Sequence, residues 1–290
     1  MEYKNHIVAF IDILGFKNLI KETTSNKRIR NEIYSALELI KSKEDPDFWN
    51  DSLVAIEECA QRHNANYYIA PFVNINCFSD SIIISVNLTE LEINAALSTL
   101  ISRLLLLSKN LIVKGVLIRG AITLGAMIHQ SGIAMGPALI DAYQLETNIA
   151  KFPRIILSDN LIKSLKYPIS TKQDQYPYHI YLDRFSDGCV GFSVLKYFQI
   201  YDNAPTIHSS KTFKQELKKT KNIILHGLDA SFEHPDIYSK YDWLRQEYNN
   251  LIILTEEKTP IYNLNEGIRG GNIHYQYTEK FYDRHSVKNK

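Results

Sequence analysis

The sequence is short of cysteine, and none of what it has is arranged for chemistry. Its 290 residues hold three cysteines, Cys59, Cys77 and Cys189, far apart and odd in number. That excludes a disulfide scaffold and any C-x-x-C metal site, and makes a reducing, cytoplasmic location the expectation. An excess of one charge is also missing: 33 Lys and Arg stand against 32 Asp and Glu, a formal net charge of +1. A broad nucleic-acid footprint needs a basic surface, so nucleic acid is not expected as a partner. A small phosphate pocket is still allowed. Internal repeats, low-complexity tracts and a G-x-x-x-x-G-K-[ST] loop are absent from the sequence, and its nine His fall in no pair at metal-ligand spacing. The apolar stretch Leu91–Leu107 carries Glu92 and Arg103 and is shorter than the roughly 20 residues a membrane span needs, so it reads as a buried helix. The N-terminal MEYKNHIVAF holds too short an apolar run for a signal peptide.

What is present is an ordinary globular composition, 45% hydrophobic, 22% charged and 11% aromatic. The length suits one large domain or a core with an appendage. His6–Asp12 is apolar and β-branched and ends on a carboxylate, which predicts a central strand. Gly15-Phe16 turns the chain, and Ile29, Ile33, Leu37 and Ile40 fall at helical spacing. Residues 51–63 continue helical. Tyr67–Phe78 and Ser81–Val86 read as a strand pair around Ser79-Asp80, and Glu90–Lys109 as the apolar helix. Leu111–Leu124 reads as a strand region broken by Gly115 and Gly120. Met127–Ala134 reads as a shorter strand bent at Ser131-Gly132, Gly136–Asn148 as a helix and Pro153–Leu157 as a strand. Strand pairs alternating with helices predict an α+β fold with a mixed, mainly antiparallel sheet and helices on one face. Residues 1–160 form the expected core. Residues 161–290 form an accessory region of strands (YHIYLDRF, GFSVLKYFQIY) and two amphipathic helices anchored by Leu217, Ile223, Trp243, Leu244 and Tyr248. The last 25 residues are polar and are expected to be loose or to pack on a partner.

Two carboxylates stand where chemistry is possible. Asp12 ends a hydrophobic strand before a glycine turn, and its plain alternative is a helix cap. Asp80 sits in a hairpin tip, where Asp often serves only the turn. Side by side, the two would suit hard divalent cations, which take one or two carboxylates plus substrate phosphates. Two such metals can activate an attacking hydroxyl and stabilise a leaving oxygen. Gly15-Phe16-Lys17 adds a glycine turn at a helix start, with backbone N–H groups and a lysine for an anion. Arg119 interrupts the apolar run GVLIRGAITLG and must find an anion; an ion pair with Asp141 or Glu146 and a substrate role stand about level.

In order and spacing, AFIDILGF (9–16), CFSDSIIIS (77–85), LIRGAITLG (117–125), IAMGPALIDAYQLE (133–146) and FPRIILS (152–158) resemble the class III nucleotidyl cyclases, with their ferredoxin-like palm core. The resemblance covers residues 5–160. It implies that Asp12, the Ile13 carbonyl and Asp80 hold two Mg²⁺ or Mn²⁺ ions and that Gly15-Phe16 binds the triphosphate. The sequence departs from that family where Asn76 replaces the usual adenine-reading Lys. It departs again at Ile140 and Gln144, which stand where an Asn and an Arg support the reacting phosphate. The variant pattern is similar to the Pycsar antiphage pyrimidine cyclases, through Arg119-Gly120, Ala142–Glu146 and Pro153–Ile155. That similarity implies a homodimer with sites at its interface, and a UTP or CTP substrate. The cyclic monophosphate product would act on a separate effector, with no membrane contact by this chain. Asn76 offers amide donor and acceptor to a pyrimidine edge, and Arg119 a cation to base or phosphate. The competing reading is a non-catalytic nucleotide-binding dimeric module of degenerate cyclase fold.

Overall fold

The computed structural model describes residues 2–41, 73–89, 91–165, 181–201 and 211–256. The chain forms two compact units, Met1–Ser209 and Ser210–Lys290. The expected helix at 51–63, the strand segment at 67–72, Cys59 and the C-terminal 25 residues lie outside the described residues.

The first unit is built on a mixed sheet. Its strands are β1 (Lys4–Ile13), β2 (Asn74–Phe78), β3 (Ser81–Asn87), β4 (Ile118–Gln130), β5 (Ile133–Met135), β6 (Arg154–Leu157), β7 (Asp183–Arg184) and β8 (Val190–Ser193). The order is β2-β3-β1-β4-β6-β8-β7, with β5 paired to β4. Every pairing is antiparallel except β4 with β6. The α+β, mainly antiparallel expectation is met, and the sheet continues past residue 160 through β8 and β7. The helices are α1 (Phe16–Ser25), α2 (Lys27–Lys41), α3 (Ile93–Ile112), α4 (Pro137–Asn148), α5 (Asp159–Ser164) and α6 (Lys196–Tyr201).

β1 is central because both of its faces are apolar. Residues 6 to 11 are all buried, the pattern of a strand covered on both sides rather than one. Ile7, Ala9 and Ile11 share a face with Val86, Ile84 and Ile82. Val8 and Phe10 face the other way and pack with Met127 against Ala138 and Ala142 of α4. Each Ile or Phe withdrawn from water there contributes roughly 1.5–3 kcal/mol. Small residues let α4 sit close: a Cβ on Gly125 would lie 3.3 Å from that of Ala138.

Two boundaries differ from expectation. Residues 111–117 are not strand: α3 runs on to Ile112, twenty residues long. It closes at Gly115, whose φ of +80° admits the left-handed turn and lets Val116 N–H bond Leu111 O at 3.0 Å. At this length α3 is apolar and long enough to cross a membrane, so length does not decide against a span. Its side chains lie mostly buried in the unit: fourteen of the twenty residues are. β4 then passes unbroken through Gly120 and Gly125 to Gln130. Those glycines serve close approach, since a Cβ on Gly120 would meet Phe10 O at 2.7 Å. Ser131 and Gly132 are not a bend within a strand. With φ of 52° and 80° they form the hairpin turn between β4 and β5. The expected strand GFSVLKYFQIY is strand only to Ser193; from Lys196 it is α6, whose Phe198 is fully buried.

The far half of β4 arches over the sheet. His129 Nδ1 lies 2.8 Å from Ser85 Oγ on β3, and Gly132 O accepts from Asn76 Nδ2 on β2 at 2.7 Å. A flat β4 would carry these residues well beyond both partners, because Val8, opposite Ser85, pairs with Thr123.

The second unit contains α7 (Lys211–Ala230) and α8 (Pro235–Glu256), the two amphipathic helices expected. Leu217, Leu244 and Tyr248 are buried as anchors, joined by Ile224; Ile223 and Trp243 are half-buried. The helices touch at Gly227, where any side chain would run into the ring of Tyr241.

Candidate functional site

The site grows from the end of β1. Ile13 N–H donates to Asp80 O at 3.0 Å, and Leu14 N–H to Leu117 O at 2.8 Å. The first bond ties the β2–β3 hairpin tip, which carries Asp80, to the strand end that carries Asp12. In register Asp12 lies between Ser81 and Arg119, and directly paired residues share a face. That face carries Phe10, Asp12, Ser81, Ile83 and Arg119, with Asn76 and Phe78 from β2. It is the face on which α4 packs. Asp80 is half-buried, next to Ser79, whose φ of 56° is left-handed. Non-glycine residues held there cost of order 1–3 kcal/mol.

Asp12 is not a helix cap. The cap of α1 is Gly15, with φ 72° and no side-chain cap bond. Gly15 O accepts from Asn18 N–H and Leu19 N–H at 2.9 and 3.1 Å. The amides of Phe16 and Lys17 precede that ladder and point out of the helix start. The first turn holds no acidic residue, and Lys17 is exposed, so the end is electropositive.

Arg119 settles its own alternative in part. Its Nε donates to Asp12 Oδ2 at 3.2 Å and lies 2.7 Å from Glu146 Oε1. The N–H is aimed at Asp12; the shorter contact to Glu146 is an ion-pair contact, and no aligned hydrogen bond reaches Oε1. Arg119 Nη1 also donates to Ala150 O at 3.4 Å. The arginine is thus an ion-pair partner of Glu146, as foreseen, and of Asp12, which was not; Asp141 takes no such part. Sequence reasoning named Glu146 only as a partner for Arg119 and missed its place in the site with Asp12. Its signal was present: Ala138, Ala142 and Glu146 are spaced four apart, and this buried stripe of α4 ends on a carboxylate. Only 3% of the Glu146 side chain is exposed. Burial pushes its carboxyl above the usual range, the Arg119 charge opposes that, and the charges of Asp12 and Asp80 add to it.

Asn76 is half-buried, and its amide N–H₂ holds the β4–β5 turn. Ile140 and Gln144 are exposed on α4. A cavity of about 750 Å³ on the flank of that helix, lined by Asp141, Gln144, Asn148, Asp159, Arg184 and Asp187 among others, includes none of Asp12, Asp80 or Arg119. Its wall is stiffened by buried Arg154, which forks onto Asp187 and lies over the rings of Phe152 and Phe185.

Among the described residues no group of three or more His, Cys, Asp and Glu is placed to hold an ion. A cation at this site would rest on Asp12, Asp80 and the Ile13 carbonyl, an all-oxygen set that fits Mg²⁺ or Mn²⁺ when substrate phosphates and water complete the shell.

No protein-family model matches this chain, and no curated protein does. Solved structures are similar to it at low identity. The catalytic core of a rhodopsin-guanylyl cyclase with converted specificity, in complex with ATPαS, is 17% identical. It covers 67% of this chain and 98% of its own, at a TM-score of 0.38. The non-canonical dimeric guanylyl cyclase domain of the RhoGC fusion protein from Blastocladiella emersonii is 16% identical, over 66% and 95%, at 0.36. A class III adenylyl cyclase-like ATP-binding protein from Pseudomonas aeruginosa is 12% identical, over 77% and 45%, also at 0.36.

Proposed function

We propose that this chain is a cytoplasmic nucleotidyl cyclase. It converts UTP, or CTP, to the 3′,5′-cyclic monophosphate and pyrophosphate, a second messenger for a separate effector in antiphage defence. The observation that carries the chemistry is the bond from Ile13 N–H to Asp80 O, which ties the hairpin tip bearing Asp80 to the strand end bearing Asp12, just before the glycine turn that opens α1. The pyrimidine and the antiphage setting rest on the similarity of the sequence motifs.

The residues divide the work by position. The amides of Phe16 and Lys17 and the Lys17 ammonium take the triphosphate, the anion a helix start accepts. Asp12 and Asp80, with the Ile13 carbonyl, would hold the divalent ions beside the 3′-hydroxyl and α-phosphate. Two divalent ions supply, when bound, a lowered pKa at the attacking hydroxyl and charge for the leaving pyrophosphate. Asn76 stands on the same sheet face with its carbonyl oxygen and second amide hydrogen available to a base edge. Before an ion binds, Arg119 is the counter-ion of Asp12. Catalysis is then mainly positioning and charge stabilisation. Phe78, Ile140 and Tyr143, exposed at 84, 57 and 52%, support a second copy of the chain as cover for this face.

Incubation of the protein with each of the four NTPs and Mn²⁺, products resolved by mass, tests the reading. A cyclic pyrimidine monophosphate is expected, and Asp12→Asn or Asp80→Asn lowers its formation by at least about a hundredfold without loss of fold. Cyclic AMP or GMP would keep the chemistry and discard the pyrimidine. Ile140 and Gln144 in place of the family's Asn and Arg favour a second reading, a dimeric module that binds nucleotide without turnover. Nucleotide binding with no product would select it.

A further inference from the structure

We propose that Glu146 is a positioning residue that holds Arg119 as a resident counter-ion for Asp12 and receives the guanidinium when a divalent cation claims that carboxylate. The inference rests on the two-ion reading above. One nitrogen, Arg119 Nε, lies 3.2 Å from Asp12 Oδ2 and 2.7 Å from Glu146 Oε1. It can leave the first without leaving the second. Glu146 Oε1 is buried and lacks an aligned hydrogen bond, so it has an acceptor position to offer; Oε2 is held by Thr147 Oγ1 at 3.0 Å. The side chains of Arg119 and Asp12 are 20 and 21% exposed, against 3% for Glu146. The pair that must exchange is reachable from solvent, and the group that waits is not.

The charge count agrees. Asp12, Asp80 and Glu146 against Arg119 leave two negative charges, the complement of one divalent cation. Neutralising Glu146 leaves one negative charge, and a guanidinium with no anion except the one the metal needs. At these separations, in a partly buried setting, a unit charge is worth a large factor in affinity.

Binding of Mn²⁺ alone, followed by electron paramagnetic resonance of the free ion, tests this apart from activity. Wild type binds, and Asp12→Asn does not. Glu146→Gln weakens binding about tenfold. Arg119→Gln/Glu146→Gln restores it to within about threefold of wild type, because the count returns to two negative charges. Arg119→Gln alone binds at least as tightly as wild type, which keeps the test open if Glu146→Gln does not fold. Asp141→Asn, on the same helix, changes nothing. Equal affinity of wild type and Glu146→Gln overturns this inference alone, as does a double variant no better than Glu146→Gln, or an Arg119→Gln that binds more weakly. Failure of wild type to bind Mn²⁺ overturns both this inference and the two-ion reading.

Discussion

Glu146 shows how one buried side chain couples stability to pH. Arg119 contacts it, Thr147 bonds it, and Asp12 and Asp80 act on it through charge. Its carboxyl is pushed up on folding, so between the ordinary carboxylate range and the raised value the native state binds more proton than the unfolded chain. Stability then falls as pH climbs through that window. Urea midpoints measured across it are expected to decline, and Glu146→Gln to flatten the decline; an unchanged slope in the variant would assign it elsewhere. Gly120 is the second residue whose role is local. Its Cβ position lies against the Ile11 side chain and 2.7 Å from Phe10 O, and the central strand pair has little room to yield. Gly120→Ala should cost about 2 kcal/mol or more, read from denaturant unfolding. A neutral result would mean that β1 and β4 can part without loss.

At the scale of elements, the β2–β3 hairpin places Asp80, and it does so under strain. Ser79 occupies a left-handed φ of 56°. A glycine there is relieved of roughly 1–2 kcal/mol of steric cost but loses about 0.5–1 kcal/mol through chain entropy. Ser79→Gly is expected to gain about 0.5 kcal/mol in stability and to lower turnover by loosening Asp80; a rise in both would remove the link between strain and site. Much of this hairpin was legible in the sequence. Asp80 between two apolar runs announced a turn, and Asp12 at the close of HIVAFID announced a strand end. Alternation and β-branching are local properties, so local reading found them. The extent of β4 was not legible, because glycine marks both a break and a close approach, and only the neighbours Phe10, Ile11 and Ala138 show which. The link from Glu146 through Arg119 to Asp12 was missed for the same reason: the three lie on different elements. The arch of β4 onto Ser85 and Asn76 leaves no periodic trace at all.

For the whole molecule, two of the apolar side chains left in water, Phe78 and Tyr143, lie where the proposed site needs a second wall. Phe78 shares a sheet face with Asp12, and Tyr143, edge-on to Phe10 at 5.4 Å between ring centroids, rises from α4 beside it. Light scattering is expected to give twice the chain mass, 33.4 kDa, and Phe78→Asp/Tyr143→Asp to give a folded monomer without cyclase activity. A monomeric wild type that still turns over nucleotide would place a complete site in one chain. The sheet order also imposes a timetable on synthesis. β1 leaves the ribosome well before its partner β4, which is more than a hundred residues behind: Asp12 and Arg119 are 107 apart in sequence. Pairing so distant is slow to form, because loop closure must precede the contacts that reward it. Until then β1, buried over residues 6 to 11, has one edge open to other nascent chains. A stalled product that ends before residue 118 holds Asp12 and Asp80 but lacks β4 on the other edge of β1, and with it Arg119. This chain is accordingly expected to lean on chaperones early, and to acquire its site only when translation has passed β4.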